Sequence, residues 1–326
     1  MNNIEYRLQW TEKYRPSIME DIYGHNNILN LLKNVIKKKI LLNMIFYGTP
    51  GTGKTTTIMN CARMLYKDRV NDMVLELNGS DDRGINVVRD IIKDFSKSKM
   101  LYKMKKEDVK LKLVILDEVD SMTYDAQYAL RKIIETYSNN VRFCLICNYE
   151  SKIITSIKSR CCTFRFFPLK KDVHIERLKY IGSVEMINMT DEGYNLIEKI
   201  SNGDMRKSIN LLQSVSMTLK NNECITEEHI LKHMNYPSKE DINKMMNIIF
   251  MDKMKVKEKI EETIRSMKEL NMNVSTLFEI IVNYIKSCRK EKMKIFDELS
   301  NTETYMNVEY DEELLISNII VIVNKI

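Results

Sequence analysis

Proline and glycine are scarce in this chain, at 4 and 9 among 326 residues. So few breakers exclude long flexible linkers. No apolar run approaches the length of a membrane span, so no membrane partner is expected. The start, Met1-Asn2-Asn3-Ile4-Glu5-Tyr6, has neither the basic opening nor the apolar stretch of a signal peptide, and an intracellular protein is expected. Charge of one sign is also lacking. The 51 basic residues nearly balance the 45 acidic ones, and a net +6 does not by itself establish nucleic-acid binding. Any basic surface must come from how the charges are distributed. A chain of this size exceeds one ordinary core and has room for two or three domains.

The 7 cysteines make no disulfide framework in such a chain. Cys144 and Cys147 have the spacing of a zinc knuckle, but they lie in the apolar run Val141–Cys147, which reads as a strand. Three residues apart on a strand, their side chains point to opposite faces. No second Cys or His pair is spaced to complete four ligands. The 4 histidines are scattered and read as structural or surface residues.

Short apolar runs at 43–48, 74–78, 111–117, 142–148 and 162–167 alternate with helical periodicity near 25–39, 54–66, 85–98 and 124–137. This is the pattern of an α/β fold, a parallel sheet covered by helices. After Pro168 the pattern is helical only, with stretches at 170–183, 190–202, 205–220 and 226–234. Gly203 suits a helix C-terminus and Asp204 the N-cap of the next helix. Tyr236-Pro237-Ser238 marks a second boundary, followed by helices near 239–250, 252–269, 273–290 and 311–325. Three domains are expected: 1–168, 169–235 and 236–326.

The chemistry is announced by Gly48-Thr49-Pro50-Gly51-Thr52-Gly53-Lys54-Thr55, which fits the phosphate-loop pattern at every fixed position. The run Met44–Tyr47 leads in as a strand and Thr56–Leu65 leads out as a helix. A glycine-rich turn at a helix start aims several N–H groups at one point, where the helix dipole adds positive potential. Lys54 would reach the β- and γ-phosphates and Thr55 would hold Mg²⁺. The ligand is therefore ATP or GTP. Roughly sixty residues on, the strand Leu113–Leu116 ends in Asp117-Glu118. Asp117 suits Mg²⁺, and Glu118 suits proton acceptance from an attacking water. On a parallel sheet both strand ends can face one site.

Taken together, the motifs resemble the small subunits of replication factor C, the AAA+ sliding-clamp loaders. The matching pieces are Trp10–Pro16, the phosphate loop, Leu77–Ile85 and Asp117-Glu118-Val119-Asp120. They continue through Ile146–Tyr149, Ser151–Ile154, Ser159-Arg160-Cys161 and Gly203–Arg206. The match runs in order over roughly the first 220 residues, while the last third matches only in helical character. Three positions depart from the family pattern: Val119 and Gly79, where Ala is usual, and Gln9, where Pro is usual.

The resemblance implies an AAA+ nucleotide-binding domain, a helical lid and an all-α collar. It implies ATP as the nucleotide, with Tyr14, Arg15, Pro16, Ile22 and Tyr23 folding over the adenine and Thr56 following the loop. It makes Asn148 the sensor that orients the attacking water and Arg206 the second sensor at the γ-phosphate. Arg160 becomes an arginine finger acting in trans on a neighbour's site. The implied partners are sister subunits in a hetero-pentamer, a ring-shaped sliding clamp and primer–template DNA. Helix 85–98 carries an apolar stripe of Val88, Ile91, Ile92 and Phe95 and a basic stripe of Arg89, Lys93 and Lys97. The resemblance assigns Arg83, Arg89 and Lys152 to the DNA backbone. The basic segment 103–110 reads as an exposed loop.

Two other readings use the same motifs, namely a different AAA+ machine of initiator or branch-migration type, and a loader subunit that does not hydrolyse ATP. A small-molecule kinase lacks an acceptor site. The expected compartment is the nucleus for a cellular eukaryotic source, and otherwise the cytoplasm or a viral replication site.

Overall fold

The computed structural model describes residues 9–80, 84–97, 109–218, 224–234, 236–250, 254–270, 272–287, 295–306 and 311–324. Residues 1–6, 81–83 and 103–108, which carry expectations above, lie outside these ranges. The chain divides into two compact units, Met1–Met217 and Thr218–Ile326.

The first unit opens with α1 (Trp10–Lys13) and α2 (Asn26–Lys37), then β1 (Met44–Gly48), α3 (Lys54–Tyr66) and α4 (Val70–Met73). It continues through β2 (Val74–Asn78), α5 (Gly84–Lys97), β3 (Lys112–Asp117), α6 (Tyr124–Tyr137) and β4 (Val141–Cys147). It closes with α7 (Thr155–Lys158), β5 (Cys162–Phe166), α8 (Lys171–Val184), α9 (Asp191–Ser201) and α10 (Met205–Thr218). The strands lie in the order β2-β3-β4-β1-β5, and every pairing is parallel. Each expected strand agrees with the observed one to within a residue at either end.

Both faces of the sheet are apolar, because helices cover both. Met44 and Phe46 of β1, Leu113 and Ile115 of β3 and Cys144 of β4 face one core, closed by Leu29 and Leu32 of α2 and Ile58 and Ala62 of α3. The alternate residues Ile45, Val114, Leu116, Phe143 and Leu145 face the other, closed by Ile92 of α5 and Leu130, Ile133 and Ile134 of α6. Cys144 therefore lies in one core and Cys147 in the other, too divergent to share a metal. Val119, where the resemblance expects alanine, is fully buried in the second core. Burying each such side chain stabilises by roughly 1.5–3 kcal/mol.

The strand order sets β1 between β4 and β5, and β3 beside β4. The carboxyl ends of β1, β3 and β4 thus lie side by side, and they carry the phosphate loop, Asp117 and Asn148.

The second unit is helical: α11 (Glu227–His233), α12 (Lys239–Phe250), α13 (Val256–Glu269), α14 (Val274–Ser287), α15 (Ile295–Met306) and α16 (Glu312–Val323). Leu315, Ile316, Ile319, Ile320, Ile322 and Val323 of α16 are all buried, so this helix is apolar around most of its girth and sits inside the core. Met245, Met267, Leu277, Ile281 and Leu299 pack in the same cluster. α15 has no counterpart in the sequence expectations. Its Asn301, Thr302 and Thr304 are weak helix formers. Burial of Leu299 and Thr302, each 1% exposed, anchors it regardless. Among the described residues no helix is long and apolar enough to cross a membrane.

Candidate active site

The phosphate loop turns on glycines whose backbone no other residue would adopt freely. Gly51 has φ +70°, and a Cβ there would lie 1.8 Å from Asp204 Oδ1 at the start of α10. The loop delivers Lys54 to the first position of α3, with its side chain buried. Lys54 Nζ donates to Gly48 O (2.7 Å), Thr49 O (2.9 Å) and Asn148 Oδ1 (3.0 Å). Burial lowers the pKa of this ammonium, and the nearby Asp117 opposes that shift. The lysine is thus held by carbonyl oxygens at the mouth of a phosphate cradle, where anionic oxygens would be stronger partners.

Thr55 Oγ1 donates to Asp117 Oδ2 at 2.7 Å. A hydroxyl and a carboxylate in contact form a hard oxygen pair of the kind Mg²⁺ takes alongside substrate phosphates, so these residues fit that ion. Asp117 Oδ1 accepts the backbone N–H of Glu118 at 2.9 Å, which fixes the carboxylate. Glu118 itself adopts the left-handed conformation, φ 55° and ψ 37°. For a residue with a Cβ this costs roughly 1–2 kcal/mol. Its carboxylate is exposed and lines the same cavity as Lys54, Asp117 and Asn148.

The cavity is also lined by Tyr14, Arg15, Pro16, Ile22 and Tyr23, and by Arg206. Pro50 to Thr56 line it as well. Of the residues expected around the nucleotide, Gly48 and Thr49 do not line it. Their carbonyls accept from Lys54 instead. Arg206 stands in the first turn of α10, as expected, where Asp204 Oδ1 caps the helix by accepting the N–H groups of Arg206 (2.9 Å) and Lys207 (3.1 Å).

Arg160 lies elsewhere. It does not line the cavity, and its guanidinium pairs with Glu135 Oε1 of α6 at 2.7 Å and donates to Ser156 O at 2.7 Å. Of the residues expected at DNA, Arg83 is outside the described residues. Arg89 is exposed on α5, in line with exposed Lys93 and Lys97, while Ile92 of the apolar stripe is fully buried. Lys152 is exposed in the turn after β4, with Nζ 5.3 Å from the Tyr149 ring centroid.

Several site residues carry little or no signal in the sequence. Asp120 Oδ2 accepts the N–H groups of Asn148 (3.1 Å) and Tyr149 (3.2 Å), so it sets where the Asn148 side chain begins. Gln127 of α6 is buried, donates to Lys152 O (3.0 Å) and accepts from Ile154 N (3.0 Å). It therefore ties α6 to the turn that follows Asn148. Asn60 of α3 donates to Pro16 O and Ile18 O, which moors the N-terminal segment. Arg177 of α8 also lines the cavity. Each acts across a long stretch of chain, and only the run Asp117-Glu118-Val119-Asp120 gives a hint of the first.

A phosphate loop, an acidic strand end and an Asn-bearing neighbour strand on a β2-β3-β4-β1-β5 parallel sheet define a P-loop nucleotide-binding domain of the AAA type. Residues 44–169 match the family described as "ATPase family associated with various cellular activities (AAA)". The Thermotoga maritima RuvB Holliday junction branch migration motor shares the fold, with a TM-score of 0.53 at 17% identity, over 91% of this chain and 99% of that one. More specific likeness comes from sequence. The chain is 36% identical to Homo sapiens replication factor C subunit 5, over 96% of this chain and 90% of that protein. It is 40% identical to the probable replication factor C subunit 5 of Dictyostelium discoideum, over 96% and 89%. It is 38% identical to a putative replication factor C small subunit of Acanthamoeba polyphaga mimivirus, over 98% and 96%. The chain belongs to the replication factor C small-subunit family.

Proposed function

We propose that the chain is an ATP-hydrolysing subunit of a loader that opens a ring-shaped sliding clamp and places it on primer–template DNA during replication. The observation that carries this reading is the convergence of Lys54, the Thr55–Asp117 pair, Glu118, Asn148 and Arg206 on one cavity, with Arg160 outside it. In this reading the triphosphate draws Lys54 away from Gly48 O and Thr49 O. Thr55 and Asp117 would hold Mg²⁺, which when bound neutralises charge on the phosphate oxygens. Asn148 orients a water, and Glu118 takes its proton as the oxygen attacks the γ-phosphorus, giving ADP and phosphate. Arg206 meets the γ-phosphate.

Arg160 completes a neighbour's site rather than its own. It must exchange Glu135 for the phosphate charge of the adjoining subunit. Residues 169–235 serve as the lid and residues 236–326 as the collar through which five subunits assemble. Arg89 and Lys152 follow the DNA backbone, with Arg83 joining them, so binding should be sequence-blind and steeply salt-dependent.

The test is steady-state ATP hydrolysis by the chain assembled with its sister subunits. Clamp and primed DNA together should raise the rate well above either alone. A rate indifferent to the clamp would point instead to another AAA machine. Intact complexes with no turnover would make the chain a structural subunit.

A further inference from the structure

The segment 10–18 along the cavity rim is fastened at its two ends to different parts of the first unit. Towards its start, Trp10 N–H donates to Gln213 Oε1 of α10 at 3.1 Å. Lys13 Nζ and the Tyr14 hydroxyl both donate to Glu185 Oε1 at the C-cap of α8, the first at 2.6 Å. Arg177 of α8 donates from Nη2 to Tyr14 O at 3.0 Å. Towards its end, Asn60 of α3 donates to Pro16 O (3.1 Å) and Ile18 O (3.3 Å), and Arg15 Nε donates to Thr56 Oγ1 at 3.4 Å. α3 begins at the phosphate loop, whereas α10 carries Arg206 and is joined to α8 through the buried hydrogen bond between His174 Nε2 and Ser208 Oγ at 2.6 Å. The segment is therefore a bridge between the two halves of the cavity wall.

Arg177 sits at the joint. Its guanidinium carbon is 5.3 Å from the Tyr23 ring centroid and 4.9 Å from that of Tyr180, and the residue lines the cavity beside Tyr14 and Tyr23. A planar cation can lie against two rings while one of its N–H groups meets a carbonyl, and a lysine ammonium cannot reproduce that. Glu185 is 17% exposed and takes both an ammonium and a phenol, bonds that are strong because the acceptor is ionised.

We propose that Arg177 and Glu185 are positioning residues of the nucleotide site. They lock the rim segment over the base of the bound nucleoside triphosphate, so that filling the base subsite fixes α8 and α10, and with them Arg206, against the phosphate loop. The recognised group is the base, not the phosphates. The inference rests on the reading that the cavity holds the nucleotide with its base beneath Tyr14 and Tyr23.

The experiment is calorimetric titration of the full chain, wild type against Arg177→Ala, Arg177→Lys and Glu185→Gln, with Mg-ATP and separately with magnesium tripolyphosphate, which has no base. Circular dichroism melts establish that each variant is folded. ATP affinity should fall about tenfold in Arg177→Ala. Arg177→Lys should recover little of it, Glu185→Gln should fall between, and tripolyphosphate affinity should match wild type throughout. Equal losses for both ligands would make Arg177 a structural residue and overturn the proposal. So would unchanged ATP affinity in the folded variants. Should the wild type bind the two ligands equally, the base subsite itself is misplaced, and the proposal goes with it. Were Arg177→Ala to fail to fold, the same criteria apply to Arg177→Lys and Glu185→Gln.

Discussion

The first unit of the chain buries some of its polar side chains for an end that has no counterpart among the described residues of the second. In the first, Lys54, Asn60 and Gln127 are each 7% exposed or less and each holds backbone that shapes the cavity or its rim. In the second, the buried polar residues knit the fold. Lys259 donates to Ile249 O at the end of α12 and to Asn324 at the C-cap of α16, and Thr263 returns its hydroxyl to Lys259 O. The remainder of that core is Met, Ile, Leu and Val. A catalytic cavity needs one residue type at one place, since charge, hydrogen-bond geometry and left-handed backbone are not interchangeable. A helical core needs volume and periodicity, which many sequences supply. The contrast predicts that single substitutions among the cavity residues of the first unit remove ATP binding or turnover with little loss of stability, and that the reverse holds for the core of the second.

The largest expected effect tests the first half. Arg160→Ala should leave the chain's own ATP affinity at the wild-type level and lower hydrolysis at the adjoining subunit's site by about 10³–10⁵. Pre-steady-state phosphate release from the assembled complex measures it. An unchanged rate would leave Arg160 with only its contacts to Glu135 and Ser156 within its own chain.

Next comes the second unit. Ile319→Ala empties a fully buried position on α16 and should destabilise by about 2–5 kcal/mol in urea unfolding, while ATP affinity stays put. A large change in ATP affinity in the folded variant would erase the contrast.

The smallest effect separates the units by pH. Burial pushes the thiols of Cys61 and Cys147 up to about 12, from 9.0. Unfolding lets them ionise earlier, so the unfolded state holds fewer protons once the pH passes about 9. Stability of the first unit therefore falls as pH rises through about 9, by roughly 1.4 kcal/mol for each thiol between about pH 8 and about pH 10. Trp10 is the chain's one tryptophan and lies in the first unit. Its fluorescence transition in urea should move to lower denaturant between about pH 8 and about pH 10 more than the helical signal of the whole chain does. Equal movement would mean that alkaline loss is not local to the thiol-bearing cores.

The same contrast explains what was legible beforehand. The phosphate loop and Asp117-Glu118 could be read because their chemistry needs neighbours in sequence. Strands could be placed because both faces of a covered parallel sheet demand continuous apolar runs. Arg177, Glu185, Gln127 and Asp120 were not legible. Asp120 reaches Asn148 across 28 residues, and Arg177 reaches Tyr14 across 163, and no local pattern records such distances. Arg160 was legible as a motif, but not its pairing with Glu135. α15 was hidden by its own Asn and Thr residues, which speak against a helix that only tertiary burial sustains.

Lys54 and its companions form a site for a nucleoside triphosphate, and every role proposed for the chain depends on that site. Calorimetry of the purified chain, with its sister subunits present, tests this most directly. Mg-ATP should bind with measurable heat to wild type, and the heat should vanish from this chain's site in Lys54→Ala while the melting profile is retained. Binding that is absent from wild type, or undiminished in Lys54→Ala, would contradict it.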